Sequence, residues 1–244
     1  MTDPSAARVP DAGRADVAAL VAARARVLDA IAAAAQRAGR DPAGVTLVAV
    51  SKTIPVERLL AAVDAGLTIL GENRVQEGEA KSGRVPGASW HLIGPLQSNK
   101  ARRAIETFAV IQTVDSVELA VRLDRIAAEI RPGRPLPVLL QVNVDGDPAK
   151  AGFPPDRLVA AADALDGCAA LEFRGLMTVG RLVDRPADAR PTFAALRERS
   201  ASLRTEWPRL GPDLSMGMSD DYPIAIEEGA TIVRVGRALF GDRV

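Results

Sequence analysis

The chain has 244 residues, 48% hydrophobic and 25% charged, with 31 Lys plus Arg against 31 Asp plus Glu. That length is enough to bury a sizeable core, and the charge balance gives no bulk electrostatic reason to expect nucleic acid or an anionic membrane as a partner. The single cysteine, Cys168, rules out an intrachain disulfide, and no apolar run approaches the roughly 18 residues of a membrane span, so a cytoplasmic protein is expected.

Residues 1–14 are polar and rich in Pro, Gly and Ala, and they read as a flexible tail ahead of a domain over 15–244. Residues 1–8 lack the apolar core of a secretion signal. A helix is expected over 16–37, because Val17, Leu20, Val21, Ala25, Leu28, Ile31 and Ala35 recur at three- and four-residue spacing until Gly39 and Pro42 end the pattern. From there, short β-branched runs alternate with amphipathic segments. Strands are expected over 45–51, 68–70, 90–93, 110–113, 138–144, 172–179, 213–216 and 232–235. Helices are expected over 56–65, 100–108, 117–130, 156–165 and 191–207. No internal repeat or linker marks a second domain.

About eight apolar strands separated by helices in about 250 residues is the arithmetic of a (β/α)8 TIM barrel with an extra N-terminal helix. A doubly wound open sheet is the alternative, but the chain has no glycine-rich dinucleotide fingerprint. Only residues 236–244 follow the last strand, so the first helix is expected to cover the seam between the first and last strands.

In such a barrel, chemistry sits at the C-terminal strand ends, and the polar residues of this chain gather there. Lys52 closes the first strand, where an ammonium over apolar surroundings loses hydration and its neutral, carbonyl-attacking form becomes accessible; a lysine snorkelling to water is the plain alternative. Asn73 follows the second strand, His91 ends the third, and Met177 lies late in the sixth. Gly217-Met218-Ser219 follows the seventh strand and Gly236-Arg237 the eighth, at the two loops that often bind phosphate in this fold. A Schiff-base lysine facing a phosphate cradle describes a receptacle for an aldehyde that carries a phosphate, and pyridoxal 5′-phosphate (PLP) is the obvious candidate.

The motifs themselves are recognisable. Val48-Ala-Val-Ser-Lys-Thr53, Gly71-Glu-Asn-Arg-Val-Gln-Glu77, Trp90-His-Leu-Ile-Gly-Pro-Leu-Gln-Ser-Asn-Lys100, Leu214-Ser-Met-Gly-Met-Ser-Asp-Asp221 and Val233-Arg-Val-Gly-Arg-Ala-Leu-Phe-Gly241 together resemble the pyridoxal phosphate homeostasis protein family, barrels similar to the N-terminal domain of alanine racemase. The resemblance implies Lys52 as the PLP Schiff base, Ser219, Gly236 and Arg237 at the phosphate, Arg234 at the pyridine nitrogen and Asn73 near the ring, with Met177 and Met218 as further cofactor-binding candidates. Arg237 stands where many members have threonine, so a backbone contact to phosphate survives there but a threonine-type hydroxyl contact does not.

A guanidinium cannot take up the proton that a carboxylate at the pyridine nitrogen would share, so Arg234 implies a weak electron sink. Racemisation also needs an acid and a base on opposite faces, and the sequence places neither Tyr222 nor His91 opposite Lys52. His91 reads instead as a hydrogen-bonding residue of the barrel mouth. One histidine and one cysteine provide no metal-ligand cluster. The expected function is a monomeric, non-catalytic PLP carrier in intracellular vitamin B6 homeostasis, with PLP-dependent apoenzymes as candidate recipients. The alternatives are a PLP-dependent amino-acid racemase and a Schiff-base aldolase acting on a sugar phosphate.

Overall fold

The computed structural model describes residues 11–181 and 183–241. The segment expected as a tail lies outside the described residues up to residue 10, and α1 (Asp11–Arg37) starts within its last part. The order then runs β1 (Thr46–Val50), α2 (Val56–Asp64), β2 (Ile69–Glu72), α3 (Val75–Ser82), β3 (Ser89–Leu92), α4 (Ala101–Thr107), β4 (Val110–Val114), α5 (Val117–Ile130) and β5 (Leu136–Gln141). It continues through α6 (Leu158–Leu165), β6 (Leu171–Met177), α7 (Arg190–Glu206), β7 (Asp213–Ser215), α8 (Tyr222–Glu227), β8 (Ile232–Val235) and α9 (Arg237–Phe240). The strands pair in sequence order into a closed parallel barrel, with β8 returning to β1. The (β/α)8 expectation is met, and the open-sheet alternative is not.

Strand alternation divides the apolar residues into two layers. Val48, Ile93, Val110, Leu139, Met177 and Ile232 form a cluster of their own, which is the barrel interior. Their strand neighbours Ala49, Leu70, Leu92, Ile111, Leu140, Leu176 and Val233 belong to the main core between sheet and helices. Register shifts between Ile111 and Val114, and between Val138 and Leu139, re-aim the side chains of β4, β5 and β6 around the lumen.

α1 packs against α2, α8 and α9 at the seam where β8 pairs with β1. Leu20, Val27 and Ile31 are buried there, each such burial contributing about 1.5–3 kcal/mol. Arg40 ties the end of this helix layer to α8 by donating to the Ile226 carbonyl at 2.6 Å.

Besides the short helices α8 and α9, which the sequence expectation lacks, two elements differ from it. β5 ends at Gln141, short of 144, because the Asn143 side chain organises a turn: its Nδ2 donates to the Asp147 carbonyl at 2.8 Å and its Oδ1 accepts from the Asp147 amide at 3.1 Å. α3 has no counterpart among the expected helices. Its buried residues are Val75 and Gly78, too few to make an apolar stripe, and Gly78 is there because a Cβ would lie 2.4 Å from the Phe108 ring. No helix among the described residues is long and apolar enough to cross a membrane.

The loop after β3 packs directly on the loop after β2: a Cβ on Gly94 would sit 2.3 Å from the Asn73 carbonyl oxygen. Gly94→Ala should therefore cost about 1–3 kcal/mol by overpacking, whereas Gly44→Ala, with open space around its Cβ position, should be close to neutral. Urea unfolding of the two variants against wild type checks the difference; equal stability of both would contradict the packing.

Candidate functional site at the barrel mouth

The backbone around Lys52 is clamped from outside the barrel. Ser51, the residue after β1, is buried and faces the helix layer, where its hydroxyl bonds Glu72 Oε1 at 2.9 Å. Lys81 of α3 reaches the same point, donating to Glu72 Oε1 at 2.7 Å and to the Ser51 carbonyl at 2.9 Å. That carbonyl belongs to the peptide joining Ser51 to Lys52, and the Ile54 amide also donates to it at 3.1 Å. Burial pushes the Glu72 carboxyl above the usual carboxylate range, and the Lys81 and Ser51 hydrogen bonds oppose that rise. Thr53 completes the turn at φ 66, a left-handed conformation that is strained for a β-branched residue and persists where surrounding contacts fix it. Lys52 follows Val48 and Val50 in the inward alternation of β1 and is half-buried at the mouth.

The neighbouring wall carries Arg234, whose partner in the β1–β8 register is Val48. Its side chain is buried inside the barrel. Nη1 donates to Ser215 Oγ at 2.7 Å and Nη2 to the Thr178 carbonyl at 2.8 Å. Burial lowers the guanidinium pKa to about 10, with Asp221 acting in the opposite direction, so Arg234 remains a cation at neutral pH. Ser215 Oγ also lies 2.6 Å from Gln112 Oε1, and Gln112 Nε2 lies 2.9 Å from His91 Nδ1. Burial, and secondarily the charge of Arg174, lower the His91 pKa to about 4, so the imidazole is neutral at pH 7.

The loops after β7 and β8 meet beside β1. Gly217 has φ 90, and a Cβ there would come within 2.5 Å of the Ala225 Cβ and 2.8 Å of the Tyr222 Cα, so the loop can fold onto α8 only with glycine at this position. Asp221 fixes the next turn by accepting from the Met218 amide at 2.6 Å. Ser219 Oγ accepts from the Gly236 amide at 3.2 Å, and the Gly236 backbone lies against Val50 of β1. Arg237 forms an ion pair with Asp220 across the same two loops.

Lys52, Ser219, Gly236, Arg237 and Arg234 are thus brought to one end of the barrel on three adjacent strands. Asn73 stands on the neighbouring loop after β2, against Gly94. Met177 lies deeper, fully buried in the interior cluster. Met218 is in the loop after β7, 41% exposed, and does not join the group. His91 lies inside the barrel rather than at its rim. Gln112 and Ser215 are absent from the sequence-derived candidates; their signal is a polar residue at an inward position of an otherwise apolar strand. Among the described residues, no group of His, Cys, Asp and Glu could hold a metal ion.

This donor set fits a phosphorylated heteroaromatic aldehyde. An amine stands at the end of β1, and a hydroxyl, a backbone amide and a guanidinium stand together at β7 and β8 for an anion. A second guanidinium lies within the barrel for a ring acceptor.

Comparison with known proteins agrees with that chemistry. Residues 25–244 match the family described as alanine racemase, N-terminal domain. The chain is 46% identical over 224 residues to a pyridoxal phosphate homeostasis protein of Pseudomonas aeruginosa, covering 90% of this chain and 94% of that one. It is 41% identical over 225 residues to the protein of the same name from Escherichia coli K12, with the same coverage of both chains. The structure of PipY from Synechococcus elongatus with PLP bound superposes with a TM-score of 0.77 at 44% identity, covering 86% of this chain and all of that one. A Clostridium difficile alanine racemase, 16% identical with a TM-score of 0.70, shares the fold over 88% of this chain and 56% of its own length.

The buried imidazole gives a signed pH prediction. His91 has a folded pKa of about 4 against 6.5 for the free side chain, so between those values the unfolded chain binds a proton that the folded chain does not. Stability is full above the unfolded pKa and is lost as pH falls through the window, on the order of 3 kcal/mol in all. His91→Gln, which cannot titrate, should lose less stability between about pH 7 and about pH 4 than wild type. Parallel losses in thermal melts at the two pH values would show that His91 is not held neutral by burial.

Proposed function

The chain belongs to the pyridoxal phosphate homeostasis protein family, whose fold is that of the alanine racemase N-terminal domain, and we propose that it binds PLP at the barrel mouth as a cytoplasmic reserve delivered to PLP-dependent apoenzymes. The observation that carries this reading is the convergence of Lys52, Arg234 and the Ser219–Gly236 pair on adjoining strands of one barrel end. When bound, PLP supplies an aldehyde carbon that bonds reversibly to a primary amine, and a ring that draws electrons from it.

The residues of this chain have separate roles in that binding. Ser51, Glu72 and Lys81 hold the peptide that presents the Lys52 amine. Ser219 Oγ, which accepts from the Gly236 amide, keeps its own hydroxyl proton to donate to an anion between β7 and β8, the Gly236 N–H turns from Ser219 to the same anion, and Arg237 adds positive charge at the same loops. Arg234, a donor at neutral pH, hydrogen-bonds a ring nitrogen through that atom's lone pair and so leaves it unprotonated. This favours holding the ligand over activating it, because a protonated ring is the stronger electron sink.

Two-face proton chemistry has weak support from the remaining side chains. His91 is neutral and hydrogen-bonded inside the barrel. Tyr222, the single tyrosine, is buried on α8, and burial raises its pKa, which keeps the phenol protonated. A positioned acid or base contributes about 10²–10⁴-fold to such a reaction, and a carrier forgoes that contribution.

Lys52→Ala should abolish the pyridoxyl adduct trapped by borohydride while leaving the fold intact. A trapped adduct that persists on another residue of the variant would overturn the assignment. PLP should raise the melting temperature more than pyridoxal at equal concentration. Ser219→Ala should narrow that gap by removing a charge-assisted hydrogen bond of about 1.5–3 kcal/mol; an unchanged gap places the phosphate elsewhere. Incubation of the PLP-loaded protein with L-amino acids in deuterated water should give α-hydrogen exchange no faster than free PLP. Exchange well above that, lost in Lys52→Ala, would establish racemase-type catalysis in place of carriage.

A further inference from the structure

Polar side chains from four strands are joined end to end inside the barrel. Arg234 Nη1 lies 2.7 Å from Ser215 Oγ, Ser215 Oγ lies 2.6 Å from Gln112 Oε1, and Gln112 Nε2 lies 2.9 Å from His91 Nδ1. With Arg234 a cation and the Gln112 amide turned so that Oε1 faces Ser215, the direction of every link follows. A guanidinium only donates, so Ser215 Oγ accepts from it and gives its one hydroxyl proton to Gln112 Oε1. The amide nitrogen of Gln112 then faces His91 and also only donates. Nδ1 must therefore present a lone pair, which puts the imidazole proton on Nε2. A proton on Nδ1 would set two donors against each other.

The surroundings keep His91 in the form this chain of bonds requires. It is buried beside the Gly71 backbone of β2 and Gln112 of β4, and the charged group that acts on it is Arg174 of β6, which disfavours imidazolium. At the other end, the Thr178 carbonyl accepts from Nη2 of Arg234 at 2.8 Å. A planar guanidinium held at both terminal nitrogens has its plane fixed, and with it the directions of its other N–H bonds.

We infer that Ser215 and Gln112 are positioning residues for Arg234: they form a one-way donor chain, anchored on His91, that aims the guanidinium at the ring nitrogen of PLP. The inference rests on the reading above that Arg234 faces that nitrogen. Without the Ser215 hydroxyl, Arg234 is held at Nη2 alone and pivots about that contact.

The test has one arm on the ligand-free protein and one on ligand preference. The chain contains a single histidine, so the imidazole ¹⁵N spectrum of ¹⁵N-histidine-labelled protein reports His91 without assignment. The expected spectrum is that of the neutral ring with Nε2 protonated and Nδ1 bare from about pH 5 to about pH 8. A Nδ1–H tautomer or an imidazolium at neutral pH overturns the inference.

The second arm compares Kd for PLP with Kd for its benzene-ring analogue, which keeps the aldehyde and phosphate but lacks the ring nitrogen. Wild type should favour PLP by about tenfold. Ser215→Ala and Gln112→Met should bring the ratio toward one while Lys52 is still trapped by borohydride, and Ser215→Thr, which keeps the hydroxyl, should restore it. A purely structural role would weaken both ligands equally and leave the ratio unchanged, which refutes the positioning role. If wild type itself shows no preference, the assignment of Arg234 to the ring nitrogen fails instead. Should Ser215→Ala not fold, Gln112→Met and the wild-type spectrum decide the question.

Discussion

A guanidinium enclosed in a barrel must recover, from fixed partners, the hydration it has lost. Arg234 does so with a hydroxyl and a peptide carbonyl, and much of the interior follows from that choice. Ser215 has to pass its proton onward, Gln112 has to turn its oxygen toward Ser215, and His91 has to remain neutral. Asp221 offsets the guanidinium's charge from a distance while its carboxylate orders the Met218 amide in the loop after β7. The same carboxylate thus links the buried guanidinium of β8 to the loop after β7.

The amine end depends on a separate set of contacts on the outer face of the sheet. Lys52 and Ser51 are consecutive, so alternation sends one toward the lumen and the other toward α3. The residue that faces out is the one that Glu72 and Lys81 hold. A site presented by strands and braced from behind keeps its geometry better than one carried on loops. Here the Lys52 side chain stays at the mouth while its backbone is fixed by buried polar contacts, next to the left-handed Thr53.

The barrel was legible because its strands are short, β-branched and separated by helices with clear apolar stripes, as in α5 with Leu119, Leu123 and Ile126 buried. Lys52, Ser219 and Gly236 stand out as candidates from their positions at strand ends together with motif resemblance, and Arg234 from the resemblance alone; the structure gathers all four at one end of the barrel. α3 was not legible, since a helix with Val75 and Gly78 as its buried residues has no stripe to read. The chain from His91 to Arg234 was hidden for a different reason. Its members come from β3, β4, β7 and β8, and no spacing within one strand shows that Ser215 and Gln112, 103 positions apart, share a hydrogen bond. Register and the bulges in β4 and β6 bring them together, and these are properties of the closed sheet.

The most direct test of the account is a crystal structure of the protein grown with PLP. The account predicts continuous density from Lys52 Nζ to the ligand, phosphate oxygens within hydrogen-bond distance of Ser219 Oγ and the Gly236 amide, and an Arg234 N–H directed at the ring nitrogen. A ligand bound away from Lys52, or a ring nitrogen turned away from Arg234, would contradict it.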